Sequence, residues 1–197
     1  MSIVMNVIHA TGSILVADTR YSAGDGTSFR VLSESTQKIF RLTEHVAVGF
    51  TGNYRFAMEL KTIAESDKIR KLNFADKIAE ALKGKTVALH SHYSSSSFPN
   101  VQFIVTGVAS TGTIGSYVLQ DSEQYELKEY VPSSTIKYVC LCNTPSDRFE
   151  RRFLEVTQKD GSVTEQQLYD LMVEHIHFVA KCNQTVNTNT TYIQISI

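Results

Sequence analysis

A serine directly after the first methionine is the residue in this sequence with the simplest route to nucleophilic chemistry. Ser2 becomes the N-terminal residue once Met1 is removed, and methionine aminopeptidases accept a small residue at the second position. A serine hydroxyl is a weak nucleophile until a base takes its proton. An N-terminal serine carries that base itself, because a free α-amine has an ordinary pKa of about 7.7–8.0. Ser2 could therefore attack a carbonyl carbon without a histidine.

The histidines offer a weaker alternative. None of the six stands in a Ser-His-Asp arrangement. The pairs His90-x-His92 and His175-x-His177 suggest metal ligands, but side chains two apart on a helix point to different faces. No carboxylate at a known spacing completes either pair. We therefore expect neither a metal nor a cofactor.

Composition excludes several classes of partner. The 197 residues carry a net charge of -1, which gives no electrostatic basis for binding nucleic acid or a membrane surface. No run of 18 apolar residues predicts a membrane span, and the N-terminus has no secretory signal. Three cysteines, an odd number, indicate a reducing compartment. The sequence predicts a cytoplasmic protein.

The predicted elements run in blocks: strands, two helices, strands, two helices and a final strand. Such blocks, rather than strict alternation, favour an α+β domain with two antiparallel sheets flanked by helix pairs. We expect one domain over residues 1–197, with a Gly-rich loop at 22–27. Strands are predicted at 2–7, 13–17, 38–42, 45–50, 101–108, 114–119, 125–130, 136–142 and 191–197. Helices are predicted at 54–70, 73–90, 146–158 and 164–181, with a loop at 91–100.

Motifs in the first quarter of the chain resemble those of proteasome β-subunits and their bacterial relatives. Ala17-Asp18-Thr19-Arg20 resembles the family's Ala-Asp-x-Arg motif, and Gly12 stands where the family has the glycine of its first hairpin turn. Lys38-Ile39-Phe40 and Val48-Gly49-Phe50-Thr51-Gly52 resemble two further family motifs at matching spacing. The element order follows the family over essentially the whole chain.

The register of these motifs identifies the candidate nucleophile. Counting back from Asp18 without a gap places the family's N-terminal threonine at Ser2. The resemblance implies an N-terminal-nucleophile (Ntn) hydrolase fold, a four-layer αββα sandwich. Because the serine already stands at position 2, no propeptide is expected to need cleavage.

The resemblance also implies roles around Ser2. Lys38 would lie beside the nucleophile, and its ammonium would lower the pKa values of the amine and hydroxyl. Asp18 would pair with Lys38, and Arg20 would support the loop that carries Asp18. The backbone N–H of Gly52 would donate to the oxyanion of the tetrahedral intermediate.

By the same resemblance, five residues map onto the pocket that holds the substrate side chain. Several are bulky and aromatic, which predicts a shallow apolar pocket for small or medium apolar side chains. The five are Tyr21, Thr36, Phe40, Phe50 and Tyr54.

Two segments depart from the family pattern. Asn183 falls on an aspartate that helps to orient the nucleophile, and Val186 falls on a serine; Thr185 is the alternative source of that hydroxyl. Asn183 can accept a hydrogen bond but carries no charge. Ser146 is the candidate for the serine of the family's Gly-Ser-Gly loop, although both glycines are absent here.

These residues lead to one main hypothesis and two alternatives. The main hypothesis is a peptidase subunit that cleaves peptide or unfolded-protein substrates and assembles into a homo-oligomeric ring, with an ATP-driven unfoldase as a further partner. The first alternative is an inactive scaffold subunit, which Asn183 and Val186 motivate. The second is an Ntn amidase or transpeptidase acting on a small substrate.

Overall fold

The computed structural model describes residues 2–24, 29–93, 101–120, 124–132, 135–142, 147–158 and 163–197. The helices in these ranges are α1 (Tyr54–Ala64), α2 (Asp67–Arg70), α3 (Ala75–Tyr93), α4 (Asp147–Thr157) and α5 (Glu165–Cys182). None of the described helices is both long enough and apolar enough to cross a bilayer. The strands are β1 (Val4–His9), β2 (Gly12–Asp18), β3 (Tyr21–Gly24), β4 (Phe29–Ser33), β5 (Ile39–Arg41), β6 (Val46–Gly52), β7 (Val101–Val108), β8 (Ile114–Gln120), β9 (Lys128–Tyr130), β10 (Lys137–Leu141) and β11 (Thr190–Ser196).

The strands form two main antiparallel sheets. One has four strands in the order β10-β1-β2-β11, and the other has five in the order β5-β6-β7-β8-β9. Strands β3 and β4 form a separate hairpin. The predicted α+β class is confirmed, with the hairpin as an addition.

The turn between β1 and β2 shows why a glycine is needed at position 12. Gly12 pairs with His9 across the hairpin and with Ser196 of β11 on its other side. A Cβ atom at this position would lie 2.8 Å from the carbonyl oxygen of Ile195. A side chain would therefore separate β11 from β2, the strand that ends at Asp18.

Three apolar clusters hold these elements together. One packs α1 and α3 on the five-stranded sheet, through residues such as Phe56 and Phe103. A second packs α4 and α5 on the four-stranded sheet, through residues such as Phe149 and Met172. The third joins the two sheets directly, with β1 and β2 contributing residues from one sheet and β6 to β8 from the other.

A closed ring of polar side chains lies within the layer between the sheets. Asn6 donates through Nδ2 to Ser13 Oγ over 2.7 Å, and Ser13 Oγ lies 2.8 Å from Thr106 Oγ1. Thr106 Oγ1 is 2.8 Å from Ser116 Oγ, which donates to Asn6 Oδ1. All four side chains are fully buried. Because each group can donate to the next in one direction around the ring, every member is satisfied.

The predicted helix over 54–70 is wrong in one respect, because it is divided in two. Helix α1 ends at Ala64, and α2 begins after Ser66, whose ψ of 145° is extended. The Ser66 hydroxyl donates to the carbonyl oxygen of Ile63 over 2.6 Å. A serine that binds nearby backbone in this way competes with the helical hydrogen bonds.

Three other boundaries differ from prediction. Residues 22–24 of the loop expected at 22–27 belong to strand β3, residues 25–27 lie outside the described part, and the partner strand β4 is absent from the prediction. The strand expected from Tyr125 begins only at Lys128, because Gln124 and Tyr125 have positive φ values of 54° and 58°. Helix α3 continues to Tyr93, into the loop expected from residue 91; residues 94–100 of that loop lie outside the described part.

His175 is a buried histidine at the contact between α4 and α5. Its side chain is 4% exposed, its ring centroid lies 5.1 Å from that of Phe149, and its Nε2 has no described partner. Burial, together with the Arg148 guanidinium, lowers the pKa of His175 below its usual value, although Glu174 opposes the shift.

We expect His175 to make stability depend on pH below its unfolded pKa of about 6.5. The folded state binds fewer protons at this group than the unfolded state, so acidification favours unfolding until the folded pKa is passed. The loss is at most about 1.4 kcal/mol per pH unit in that window. Urea unfolding at several pH values should show this loss in the wild type and in the His177→Gln control. His175→Gln should not show it, and a retained loss there would contradict the assignment.

Candidate active site

A buried ion pair lies at the point where β2 ends and β5 begins. Lys38 Nζ donates to Asp18 Oδ1 over 2.6 Å, and the two side chains are 2% and 0% exposed. Burial lowers the pKa of Lys38 below its usual value, although the negative charge of Asp18 opposes this shift. Among the described residues, Asp18 is the one acceptor assigned to this ammonium, so two N–H donors remain for other groups.

The same carboxylate contacts the start of the chain. Asp18 Oδ1 accepts from the backbone N–H of Ile3 over 2.9 Å, and the Asp18 N–H lies 3.3 Å from the Ile3 carbonyl oxygen. One carboxylate oxygen therefore receives both the Lys38 ammonium and the peptide group that links Ser2 to Ile3. Ser2 itself is partly exposed. Strand β1 thus brings Ser2 to the neighbourhood of the ion pair.

Gly52 lies at the end of β6, the neighbour of β5. The N–H of Phe50 donates to the carbonyl oxygen of Lys38 over 3.0 Å, and Gly52 lies two residues further along β6. Gly52 has φ = 97°, a conformation that other residues adopt only with strain. Helix α1 begins directly after it, because Asn53 caps the Phe56 N–H over 3.1 Å.

Arg20 connects the Asp18 turn to two other segments. Its backbone N–H donates to Asp18 Oδ2 over 3.1 Å, which fixes the second carboxylate oxygen. Its guanidinium binds Glu34, with Nε 3.1 Å from each carboxylate oxygen, and Nη1 donates to the Gln184 carbonyl oxygen over 2.6 Å. Arg20 therefore bridges the segment before Lys38 and the loop after α5.

Asn183 and Val186, which depart from the family pattern, lie in that loop. Asn183 ends α5, and its Oδ1 accepts from both the N–H and the hydroxyl of Thr185, over 3.0 and 2.7 Å. Val186 is 1% exposed and packs in the cluster with α5. Ser146 lies outside the described residues. Asn183 and Thr185 thus form a local turn, and Val186 contributes to the core.

The five predicted pocket residues are divided between surface and core. The rings of Tyr21 and Tyr54 contact each other, with centroids 4.5 Å apart, and both residues are partly exposed. Phe40 and Phe50 are 4% and 3% exposed and belong to the cluster with α1 and α3. Thr36 is buried. The two tyrosines are therefore the partly exposed members of the predicted set, and the other three are buried.

Sequence reasoning missed two residues beside the ion pair. Asn187 follows Val186, and Glu34 precedes Lys38 by four positions; both contact Thr19, the residue after Asp18. No motif marks either of them, because they belong to segments that meet only in the folded chain. Asn and Glu in a polar stretch are otherwise typical of exposed loops.

The site offers an acid–base and electrostatic apparatus rather than a set of metal ligands. A buried cation with two donors that no described residue uses, a glycine N–H at the end of a strand and the nearby Ser2–Ile3 peptide suit the stabilisation of a developing oxyanion. Within the described ranges, no three His, Cys, Asp or Glu side chains are grouped so that they could hold a metal ion.

The element order and the two antiparallel sheets define a proteasome-like N-terminal-nucleophile fold, and comparison with solved structures supports this. The structure of eukaryotic HslV from Trypanosoma brucei matches with a TM-score of 0.69 and 14% identity, over 99% of each chain. The Anbu complex from Pseudomonas aeruginosa, solved as a helical assembly, matches with a TM-score of 0.72 and 12% identity, over 98% of this chain and 81% of the Anbu chain. No protein-family model and no curated protein matches the sequence. The likeness concerns the fold alone, and it supports the predicted N-terminal-nucleophile fold at the level of a proteasome-like α+β class.

Proposed function

We propose that this chain is a proteasome-like peptidase subunit in which Ser2, exposed by removal of Met1, is the nucleophile. The observation that carries the proposal is the shared oxygen of Asp18, which receives both the Lys38 ammonium and the N–H of Ile3. Burial of a charge is costly, and the pairing with Asp18 offsets that cost while it keeps the Lys38 ammonium on the oxygen that also binds the N–H of Ile3.

The proposed reaction uses Ser2, Lys38 and Gly52. The α-amine of Ser2 takes the hydroxyl proton as Oγ attacks the substrate carbonyl carbon. The N–H of Gly52 and the charge of Lys38 stabilise the oxyanion, and one such donor typically contributes about 3–4 kcal/mol. The ammonium formed at Ser2 then gives its proton to the leaving amine, which leaves an ester on Ser2. Water, deprotonated by the same amine, cleaves the ester and restores the hydroxyl.

The remaining site residues act on geometry and substrate choice. Arg20 holds the Asp18 carboxylate, while the Asn183 turn and Ser146 would border the nucleophile from the loops around α5 and before α4. Tyr21 and Tyr54 would contact the substrate side chain, with Thr36, Phe40 and Phe50 behind them. Because several of these residues are bulky and aromatic, we expect a preference for small or medium apolar side chains.

The proposal extends to the whole chain. Residues 1–197 form one domain of four layers, helices–sheet–sheet–helices, for which the three apolar clusters are the support. The helical assembly of Anbu favours self-association, and we propose a homo-oligomer, with a ring as its expected form. Peptide or unfolded-protein substrates, an ATP-driven unfoldase and a cytoplasmic location stay predictions.

Acylation by a β-lactone tests the proposed nucleophile. We expect the intact mass of the purified protein to lack Met1, and the lactone to add to Ser2 as an ester. Ser2→Ala should abolish the adduct, because the attacking oxygen is removed. Ser196→Ala, at an exposed serine that pairs with Gly12 at the end of β2 opposite Asp18, should be labelled at the wild-type rate.

The same experiment separates the alternatives. Retained Met1 with no adduct would contradict the nucleophile and favour a scaffold subunit, for which the burial of Val186 is the supporting observation. An adduct on Ser2 without turnover of peptide substrates would favour an amidase or transpeptidase that acts on a small molecule.

A further inference from the structure

We infer that Asn187 is a positioning residue that holds the Asp18–Lys38 pair in its geometry. This inference rests on the proposed function only because that function gives the Asp18–Lys38 pair its role. Neither composition nor motif marks this asparagine. The inference depends on how its amide joins three segments: the turn after β2, the segment before β5 and the loop after α5.

Both ends of the Asn187 amide are used. Oδ1 accepts from the backbone N–H of Thr19 over 3.1 Å, and Nδ2 donates to Glu34 Oε2 over 2.8 Å. Nδ2 also lies 3.1 Å from Thr19 Oγ1 and 3.3 Å from the Glu34 carbonyl oxygen. Asn187 is 6% exposed, so these groups replace water as its partners.

Thr19 connects Asn187 to the segments that carry Asp18 and Lys38. It directly follows Asp18, and its hydroxyl donates to the Glu34 carbonyl oxygen over 2.6 Å. Its own carbonyl oxygen accepts from the N–H of Thr36 over 2.8 Å, two residues before Lys38. The Asp18 turn and the segment leading to Lys38 are therefore fixed against each other at the Asn187 amide.

Glu34 provides a second route to the same carboxylate. The Arg20 guanidinium binds it, and the N–H of Arg20 holds Asp18 Oδ2. Arg20 and Asn187 together lower the pKa of Glu34, so it is a carboxylate at neutral pH. Among the described residues, Asn187 hydrogen-bonds to the ionisable side chain of Glu34, which in turn binds Arg20. A charge introduced at position 187 therefore tests these contacts.

A purely structural asparagine would affect stability everywhere, whereas a positioning residue should affect the site first. For Asn187→Ala we expect β-lactone labelling of Ser2 to slow about 100-fold, the effect of displacing reacting groups by about an ångström. Amide hydrogen exchange at Ile3 and Arg20, which report the Asp18 contacts, should quicken about tenfold. Val105, in the centre of the five-stranded sheet, should exchange at the wild-type rate. The control is Asn189→Ala, since Asn189 contacts Thr19 only through its backbone carbonyl.

A charge exchange sharpens the test. Asn187→Asp places a second carboxylate 2.8 Å from Glu34, and two such groups share a proton. Labelling should then fall with rising pH through a new ionisation that the wild type lacks. The double variant Asn187→Asp with Glu34→Gln exchanges the carboxylate and the amide across the same contact. Its labelling rate should return to within about fivefold of that of Glu34→Gln alone, and the new ionisation should disappear.

Hydrogen exchange at Ile3, Arg20 and Val105 decides between support for the role of Asn187 and its rejection. Faster exchange at Ile3 and Arg20, with Val105 unchanged, supports the inference even if the wild type is never labelled, a result that would count against the proposed function alone. The inference is overturned if Asn187→Ala leaves those two amides within twofold of wild type. Equal acceleration of all three amides would also overturn it, as would an unchanged pH profile in Asn187→Asp.

Discussion

Lys38→Met is expected to lower the free energy of unfolding by about 3–5 kcal/mol and to abolish labelling of Ser2. Methionine fills a similar volume, so packing changes little, but the Asp18 carboxylate loses its counter-ion while remaining fully buried. The contacts left to it are backbone N–H groups of Ile3 and Arg20. Urea unfolding measures the loss, and intact mass after β-lactone treatment measures the labelling.

The double variant separates pairing from burial. Asp18→Asn combined with Lys38→Met removes both charges, so its cost should be well below the sum of the two single costs. Lys83→Met is the matched control, because Lys83 pairs with Glu126 over 3.1 Å at the surface. It should cost no more than about 1 kcal/mol. A Lys38→Met cost as small as that of the control would mean that Asp18 and Lys38 do not form a buried pair.

Thr106→Val is expected to cost about 2–4 kcal/mol without affecting the site. The substitution keeps the shape of the side chain but breaks the polar ring between the sheets. Ser13 loses an acceptor and Ser116 loses a donor, and each buried unsatisfied group costs about 1–3 kcal/mol. Urea unfolding measures the loss, while the rate of β-lactone labelling should stay near that of wild type.

An exposed hydroxyl pair supplies the control for this substitution. The hydroxyl oxygens of Thr111 and Thr113 lie 2.8 Å apart on the surface, so Thr113→Val removes a similar hydrogen bond at a place where water can replace it. The expected change is within about 0.5 kcal/mol. Equal effects at the two positions would show that the ring contributes nothing beyond ordinary surface contacts.

The sequence predicted those parts of the site that lie on local motifs. Asp18, Lys38 and Gly52 stand in segments that resemble motifs of proteasome β-subunits, and that resemblance, not an apolar pattern, predicts the ion pair between Asp18 and Lys38. Ser2 was brought into register by counting along β1 and β2, which pair residue by residue as a simple hairpin.

Features that depend on distant contacts could not be predicted in this way. Asn187 and Thr19 are 168 residues apart in the chain, and no local pattern relates them. Strand β4 exposes Phe29, Val31 and Leu32, so it lacks the burial alternation that identifies a strand. Tyr125 has a positive φ, and its buried ring stacks on that of Phe56 with centroids 6.3 Å apart. The packing of this ring offsets the backbone strain of the positive φ.

Reaction with a peptide α,β-epoxyketone tests most directly whether a processed Ser2 is the nucleophile. The reagent offers a ketone carbon for a hydroxyl and an epoxide carbon for an amine, so ring closure requires both groups on one residue. Fragmentation of the labelled protein should place the adduct on Ser2, bonded through both Oγ and the α-amine, and Lys38→Met should prevent it. A protein that has lost Met1 yet carries no adduct on Ser2 would contradict the account.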